Sequence, residues 1–174
     1  MCPSETESAF PRKRKRDDEA AFHELVDRYA NEMFRLAVSL VGNAADAEDV
    51  VQETFAGAYQ AMPDFEGRSS VRTWLSRILV KQAAKWRRRR EVRRTVALDA
   101  AAPMPGPEQS LRIDVLGTLE TLSPEHREVI ALREFQGMSY EEIAEVLGVP
   151  RGTVESRLFR ARQELRERLK AYLP

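Results

Sequence analysis

The chain has 174 residues, of which 43% are hydrophobic, 32% charged and 7% aromatic, and its formal net charge is zero. No stretch approaches the roughly 20 apolar residues that a membrane span needs, so membrane insertion is excluded. The single cysteine, Cys2, excludes an internal disulfide and cysteine-based zinc sites and fits a reducing cytoplasm. His23 and His126 lie far apart, and we expect no metal, no cofactor and no small-molecule substrate.

The first 17 residues are polar, contain prolines and include the basic run Arg12–Arg16. Such a composition predicts a disordered basic arm over residues 1–17. A weak contact to phosphate is the alternative role for this arm.

Three helices are predicted next. Apolar residues at three- and four-residue steps from Phe22 to Leu40 mark the first, which Gly42 ends. The second runs from about Ala45 to Met62, with acids in its first turn and Pro63 after it. The third follows the polar loop 64–69 and runs into a basic tail that ends near Arg94.

Residues 95–109 hold three prolines and an alanine run, which predict a flexible linker. A short helix is expected from about Ser110 to Thr121, and another opens at Ser123 and closes at Gly137. No strand pattern is present. The predicted fold is all-α: two small helical domains joined by a flexible linker.

The stretch from Ser139 to Leu169 predicts a helix-turn-helix. Ser139 and Glu142 form a capping box that begins a short helix, and Gly148 supplies the left-handed turn after it. A longer helix follows, and its N-terminal side chains can reach base edges in the major groove. An ordinary helical hairpin is the alternative structure for this pattern.

Charge is sorted into blocks despite the zero net charge. Residues 36–67 contain six acids and no Lys or Arg, whereas residues 81–94 contain eight basic residues and one acid. Residues 151–170 are basic again, with seven basic residues and three acids. Separate blocks of charge indicate separate surfaces for separate partners.

The third helix combines aromatic and basic residues, a composition that suits single-stranded bases, which stack on aromatic rings while cations hold the backbone. Taken alone, Trp74 is better explained as a core residue. The polar loop 64–70 before the helix is better placed to receive an unstacked base.

Four runs of residues resemble the extracytoplasmic-function (ECF) subfamily of bacterial RNA polymerase sigma factors. They are DAEDVVQETF from Asp46, FEGRSSVRTWL from Phe65, MSYEEIA from Met138 and GTVESRLFRAR from Gly152. The resemblance covers residues 18–94 and 110–170. It implies sigma region 2 over 18–94, a linker over 95–109 and sigma region 4 over 110–174.

In that family the acidic helix docks on the clamp of the polymerase's largest subunit, and region 4 rests on the flap of the second-largest subunit. The resemblance therefore implies core-polymerase docking by Asp46, Glu48, Asp49, Gln52 and Glu53. It places recognition of the minus-ten promoter element on Phe65, Arg68, Ser69, Ser70, Arg72 and Trp74. It places recognition of the minus-thirty-five element on Arg133, Arg151, Glu155, Ser156, Arg157, Phe159 and Arg160.

The implied function is that of an alternative sigma factor, with core RNA polymerase, promoter DNA and an anti-sigma factor as partners. A stand-alone helix-turn-helix regulator, and an adaptor that touches DNA without specificity, are the two alternatives. No nucleophile–base pair, phosphate-cradling glycine loop or metal cluster indicates an enzyme.

Overall fold

The computed structural model describes residues 12–96 and 115–170, with side chains described from 19 to 93 and from 116 to 170. These ranges contain seven α-helices and no strand, which confirms the predicted all-α class. The helices are α1 (Arg12–Val41), α2 (Ala44–Ala61), α3 (Val71–Val96), α4 (Val115–Glu120), α5 (Pro124–Ile130), α6 (Tyr140–Leu147) and α7 (Arg151–Leu169). We call α1–α3 the first domain and α4–α7 the second.

The first domain is a bundle in which each of its three helices packs on the other two. Met33, Leu36 and Leu40 of α1 are fully buried together with Leu75 and Leu79 of α3. Two buried hydroxyls are satisfied within their own helices, because Ser39 donates to the carbonyl of Leu36 and Thr54 to that of Val50. The apolar stripe that the sequence predicts for the first helix is therefore the stripe that forms this core.

The corner between α1 and α2 takes only two residues. Gly42 adopts φ 88°, a left-handed conformation that favours glycine. Asn43 then caps α2, since its side-chain oxygen accepts a hydrogen bond from the backbone N–H of Asp46 at 2.9 Å. This tight corner fixes the direction in which α2 leaves the end of α1.

The second domain follows the caps that its sequence predicts. Ser123 caps α5, Ser139 and Glu142 form the capping box of α6, and Gly148 ends α6 with φ 65°. The core includes Leu132, Met138, Ile143, Val154 and Leu158, all at most 1% exposed. The α6–turn–α7 unit is the predicted helix-turn-helix.

Two local expectations differ from the structure, and a third lies partly outside its described part. α1 begins at Arg12, so the expected disorder of the basic arm is wrong for residues 12–17, while residues 1–11 lie outside the described part. α3 continues to Val96, two residues into the expected linker. α4 begins at Val115, and the rest of the linker, with residues 110–114 of the expected short helix, is outside the described part.

One feature of the fold was not predicted at all, namely that the two domains pack against each other. α6 lies on α3, while α1 contacts α4, α5 and the π-helical turn Ala131–Phe135. The buried residues of both domains belong to one continuous hydrophobic cluster. This packing determines which parts of the first domain remain open to a partner.

Candidate polymerase and nucleic-acid interfaces

The acidic face of α2 points away from the core. Val50, Thr54, Phe55 and Ala58 are buried on one side of the helix. The opposite side carries the predicted docking residues, of which Glu48, Asp49, Gln52 and Glu53 are exposed and Asp46 is half-buried at the N-terminus. Glu48, Asp49 and Glu53 have no ion-pair partner among the side chains that the structure describes. The structure thus brings all five residues onto one helix face.

A groove separates this face from the C-terminal half of α3. Its acidic wall contains Asp49 and Glu53, and its basic wall contains Lys85 and Arg89. The guanidinium of Arg90 lies over the ring of Trp86, 5.2 Å from its centroid. Sequence reasoning found both charge blocks but missed that they face each other across one groove.

The loop before α3 presents an aromatic pair. The rings of Phe65 and Trp74 lie 4.7 Å apart at an interplanar angle of 34°. Both side chains are half-buried, so Trp74 packs against the core and also contributes to the loop surface. Gly67 turns the loop with φ 68°, and Arg68 is 85% exposed beside Glu66. These residues form a shallow pocket whose wall also contains Ser69 and Arg77.

Two of the residues expected at the minus-ten element already have partners within the protein. Ser70 caps the start of α3, since its hydroxyl accepts a hydrogen bond from the N–H of Thr73 at 3.0 Å. Arg72 forms an ion pair with Glu32 of α1 and donates to Gln136 of the second domain at 3.4 Å. The structure therefore gathers Phe65, Arg68, Ser69 and Trp74 on the loop surface and encloses Arg72 between helices.

The exposed face of α7 contains most of the residues expected to contact the minus-thirty-five element. Arg151, Glu155, Ser156, Phe159 and Arg160 are exposed and Arg157 is half-buried. Phe159 is 63% exposed, which is unusual for a side chain of its size. Val154, Leu158 and Ala161 face the core on the other side of the helix.

Charged neighbours hold some of these side chains in place. Arg151 lies 2.9 Å from Glu155 on the same helix and 2.8 Å from Glu141 of α6. Arg162, further along α7, lies 2.8 Å from Glu134, and this hydrogen bond raises the pKa of Arg162. The N-terminal part of α7 thus has its arginine aligned by two carboxylates.

Arg133 lies next to Tyr140, which lines a pocket together with Glu155 and Phe159 of α7. Its Nη1 donates to the carbonyl of Met138 at 2.6 Å, and its guanidinium lies over the ring of Tyr140, 5.2 Å from the centroid. These contacts connect the π-helical turn to the start of α6. Arg133 therefore supports the position of α6 from within the domain, a role that the sequence does not reveal because it depends on a backbone carbonyl.

The described residues contain no group of three or more metal-ligating side chains, and none of the described helices is long and apolar enough to cross a membrane. An acidic helix face, an aromatic loop and an arginine-bearing helix lie on one small molecule.

Two family models match the chain. Sigma-70 region 2 matches residues 25–93, and Sigma-70, region 4 matches residues 112–165. The first match contains the acidic helix and the aromatic loop, and the second contains the helix-turn-helix.

Relatives match over nearly the full length. The RNA polymerase sigma-H factor of Pseudomonas aeruginosa is 35% identical, covering 99% of this chain and 98% of the relative. The ECF RNA polymerase sigma-E factor of Escherichia coli K12 is 36% identical, covering 95% of each chain. The predicted family is therefore confirmed from sequence relatives.

Two solved structures are also similar to this chain. The sigma factor RpoE of Bartonella quintana, in complex with the anti-sigma factor NepR, superposes with a TM-score of 0.73 at 31% identity and covers 86% of this chain and 97% of that one. CnrH, in complex with the cytosolic domain of CnrY, gives 0.68 at 35% identity and covers 88% and 90%. The chain therefore belongs to the extracytoplasmic-function (ECF) sigma factors, and it is an alternative sigma factor that binds core RNA polymerase and directs the initiation of transcription.

Proposed function

We propose that the three surfaces divide the work of initiation between them. The acidic face of α2 docks on the clamp of the largest polymerase subunit, the loop 64–70 with α3 captures bases of the minus-ten element, and α7 reads the minus-thirty-five element as duplex. The second domain also rests on the flap of the second-largest subunit. The single observation that carries this proposal is the open acidic face of α2. A stand-alone helix-turn-helix regulator, which acts without binding core polymerase, does not need such a docking surface.

Docking by α2 follows from exposure and charge. Glu48, Asp49 and Glu53 project into solvent without ionic partners among the described residues, so a basic helix of the polymerase meets them without displacing an internal contact. Exposed charge of one sign also speeds association with a partner of the opposite sign.

Base capture follows from the aromatic pair. Phe65 and Trp74 present neighbouring ring edges and faces beside a pocket, and a base that has left the duplex gains about 1–3 kcal/mol by stacking on an aromatic ring. Arg68, almost fully exposed at the loop tip, is placed to contact the phosphate that follows such a base. Ser69 lines the same pocket and offers a hydroxyl to the base edge.

Readout by α7 follows from its first two turns. Arg151 reaches guanine O6 and N7 with two donors, and Glu155 accepts from the amino group of cytosine. Because the two side chains lie 2.9 Å apart, we expect them to read adjacent positions as a unit. Ser156, Arg157, Phe159 and Arg160 extend this contact surface along the helix. Arg133 donates to Met138 through Nη1, and we assign a phosphate contact to its other donors.

We further propose that an anti-sigma factor binds this chain, because the similar sigma factor RpoE was solved with the anti-sigma factor NepR. The similar protein CnrH was also solved with a partner, the cytosolic domain of CnrY. The protein acts in the cytoplasm, where core polymerase and promoter DNA are found. It performs no catalysis of its own, and bond formation belongs to the polymerase.

The test is in-vitro transcription from a library of genomic fragments, with core polymerase in the presence and absence of the protein. We expect new start sites that share spaced upstream motifs. The double variant Asp49→Lys/Glu53→Lys should lose these starts, because it reverses two charges on the docking face. The control Glu24→Lys/Asp27→Lys, which makes the same charge change on exposed positions of α1, should keep them.

Two outcomes would contradict the proposal. Failure of the folded protein to bind core polymerase would leave the stand-alone regulator as the working model. Binding to core without any promoter-specific starts would favour the adaptor.

A further inference from the structure

The loop that is proposed to capture bases has few cations of its own. Residues 59–70, from the last turn of α2 to the start of α3, contain two acids, Asp64 and Glu66, and one basic residue, Arg68. Arg68 forms an ion pair with Glu66, so part of its charge is already compensated. Because the affinity of a protein for DNA depends on cations that neutralise phosphates, this net negative surface needs cations from another part of the chain.

The start of α1 lies at the same end of the first domain as this loop. The two-residue corner makes α1 and α2 antiparallel, and Phe22 near the start of α1 contacts Tyr59 near the end of α2, with ring centroids 4.9 Å apart. Six residues after Tyr59 the chain reaches Phe65 of the aromatic loop. The beginning of α1 and the loop are therefore neighbours at one end of the bundle.

The basic run Arg12–Arg16 lies outside the core at this end. α1 is helical from Arg12 onwards, and Phe22 is the first of its described side chains that packs against the core. The ten residue steps between these two positions correspond to about 15 Å of helix. The helix thus places five consecutive basic residues beyond the core, at the loop end of the bundle.

Folding does not explain the position of these charges. Cations at the N-terminus of a helix are unfavourable because the helix dipole is positive there, and α1 has no acid in its first turn. Basic residues four positions apart, such as Arg12 and Arg16, also repel each other. Asp17 follows Lys13 by four residues, but an acid that is C-terminal to its basic partner is in the less favourable order. A bound polyanion removes both penalties.

The path of the chain indicates which part of the promoter lies at this end. From the loop, α3 runs to the other end of the bundle, where Lys85 and Arg89 face Asp49 and Glu53 of α2. The chain then continues to the second domain, whose helix α7 is proposed to read the minus-thirty-five element, which lies upstream. The far end of α3 is therefore the upstream end of the first domain, and the loop and the basic run lie at its downstream end.

From this placement we propose that the basic run at the start of α1 binds phosphates of the promoter DNA immediately downstream of the minus-ten element. It supplies the cations that the loop lacks, so that the strand is held by charge where it leaves the aromatic pair Phe65 and Trp74. The contact is independent of base sequence, because phosphates carry no sequence information. This inference rests on the proposed capture of minus-ten bases by the loop 64–70.

The test measures the affinity of the holoenzyme, assembled from core polymerase and the full chain, for two promoter DNAs. One DNA ends at the downstream edge of the minus-ten element, and the other continues for about ten nucleotides, which is about 34 Å. Arg14→Gln/Arg16→Gln removes two charges of the basic run. The matched control Arg28→Gln/Arg35→Gln removes two arginines from exposed positions of the same helix.

On the longer DNA we expect the basic-run variant to bind roughly tenfold more weakly than the control at about 0.15 M salt. The slope of log affinity against log salt concentration should decrease in magnitude by about 1.4–1.8, since each lost phosphate contact removes about 0.7–0.9. On the shorter DNA the two variants should bind equally. Arg14→Lys/Arg16→Lys, which keeps both charges, should bind the longer DNA as the unaltered protein does, because a phosphate accepts either cation.

Equal affinities of the basic-run variant and the control for the longer DNA would overturn the inference. So would an equal loss on both DNAs, which would place the contact elsewhere, or a loss that the lysine variant does not restore, since charge would then not be its cause. A failure of the proposed function has a different signature, because the unaltered holoenzyme would then bind neither DNA in preference to a scrambled promoter.

Discussion

The two charged faces of the first domain differ in whether their side chains already have ionic partners within the protein. On α2 the carboxylates of Glu48, Asp49 and Glu53 project into water, whereas on α3 the guanidiniums of Arg72, Arg77 and Arg87 are paired with the second domain or its neighbours. A partner of α2 therefore has only water to displace. A partner of α3 has to displace part of the protein itself.

The largest effect that this comparison predicts is on the open face. Asp49→Lys/Glu53→Lys should weaken binding to core polymerase by more than about 100-fold, since like charges at an interface cost several kcal/mol. Competition against a labelled sigma factor measures this affinity. Arg77→Gln on the covered face should leave it within about threefold. Comparable losses for both variants would break the comparison, because they would show that α3 also docks on core.

A second contrast separates enclosed from exposed arginines. Arg72→Gln should lower the free energy of unfolding by about 1–3 kcal/mol, because Glu32 and Gln136 lose their partner while remaining largely buried. Arg68→Gln, at a side chain that is 85% exposed, should change stability by less than about 0.5 kcal/mol. Urea denaturation followed by circular dichroism provides both values. Equal losses of stability in the two variants would show that Arg72 does not form its contacts to Glu32 and Gln136.

A smaller effect is expected at the helix-turn-helix. Ser139→Ala should cost about 1 kcal/mol, because the hydroxyl accepts the N–H of Glu142 at 3.2 Å and completes the capping box. Ser156→Ala on the exposed face of α7 is the matched control, as its hydroxyl donates only to Thr153 within the helix. Thermal unfolding should show a lower Tm for Ser139→Ala alone. A lower Tm for both variants would show that Ser156 also contributes to the stability of the fold.

The smallest effect is a pH dependence. The hydrogen bond that the backbone N–H of Ser139 donates to Glu142 is the main cause that lowers the pKa of this carboxyl below its ordinary value of 4.5. A depressed folded pKa adds stability above pH 4.5 that is lost as the pH falls through the folded pKa. Glu142→Gln should therefore flatten the stability profile below pH 4.5. Parallel pH profiles of stability for the unaltered protein and for Glu142→Gln would contradict the assignment of this pH dependence to Glu142.

The local features of the fold were predictable because their causes lie within a few residues of each other. The capping box at Ser139, the turn at Gly148 and the ends of α2 each depend on contacts over four residues or fewer, and the structure has α2 within one residue of the predicted bounds at each end. The acidic face of α2 was predictable for the same reason, since helical periodicity alone places its members together.

The packing of the domains was not predictable, because its contacts join residues far apart in sequence. Arg87 and Glu128 are 41 residues apart, Arg77 and Glu145 are 68, and the Gln136–Glu32 contact spans 104. No short pattern contains both partners of such a pair. A flexible linker, which the composition of residues 95–109 indicates, is compatible with open and closed arrangements alike.

Arg127 joins the two domains through backbone carbonyls. Its guanidinium donates to the carbonyl of Leu40 at the end of α1 and to the carbonyls of Glu120 and Leu122 beside α4. Two of these three bonds lie within the second domain, and the third crosses to the first domain, next to the two-residue corner from which α2 starts. The direction of the acidic helix and the position of the second domain therefore depend on the same side chain.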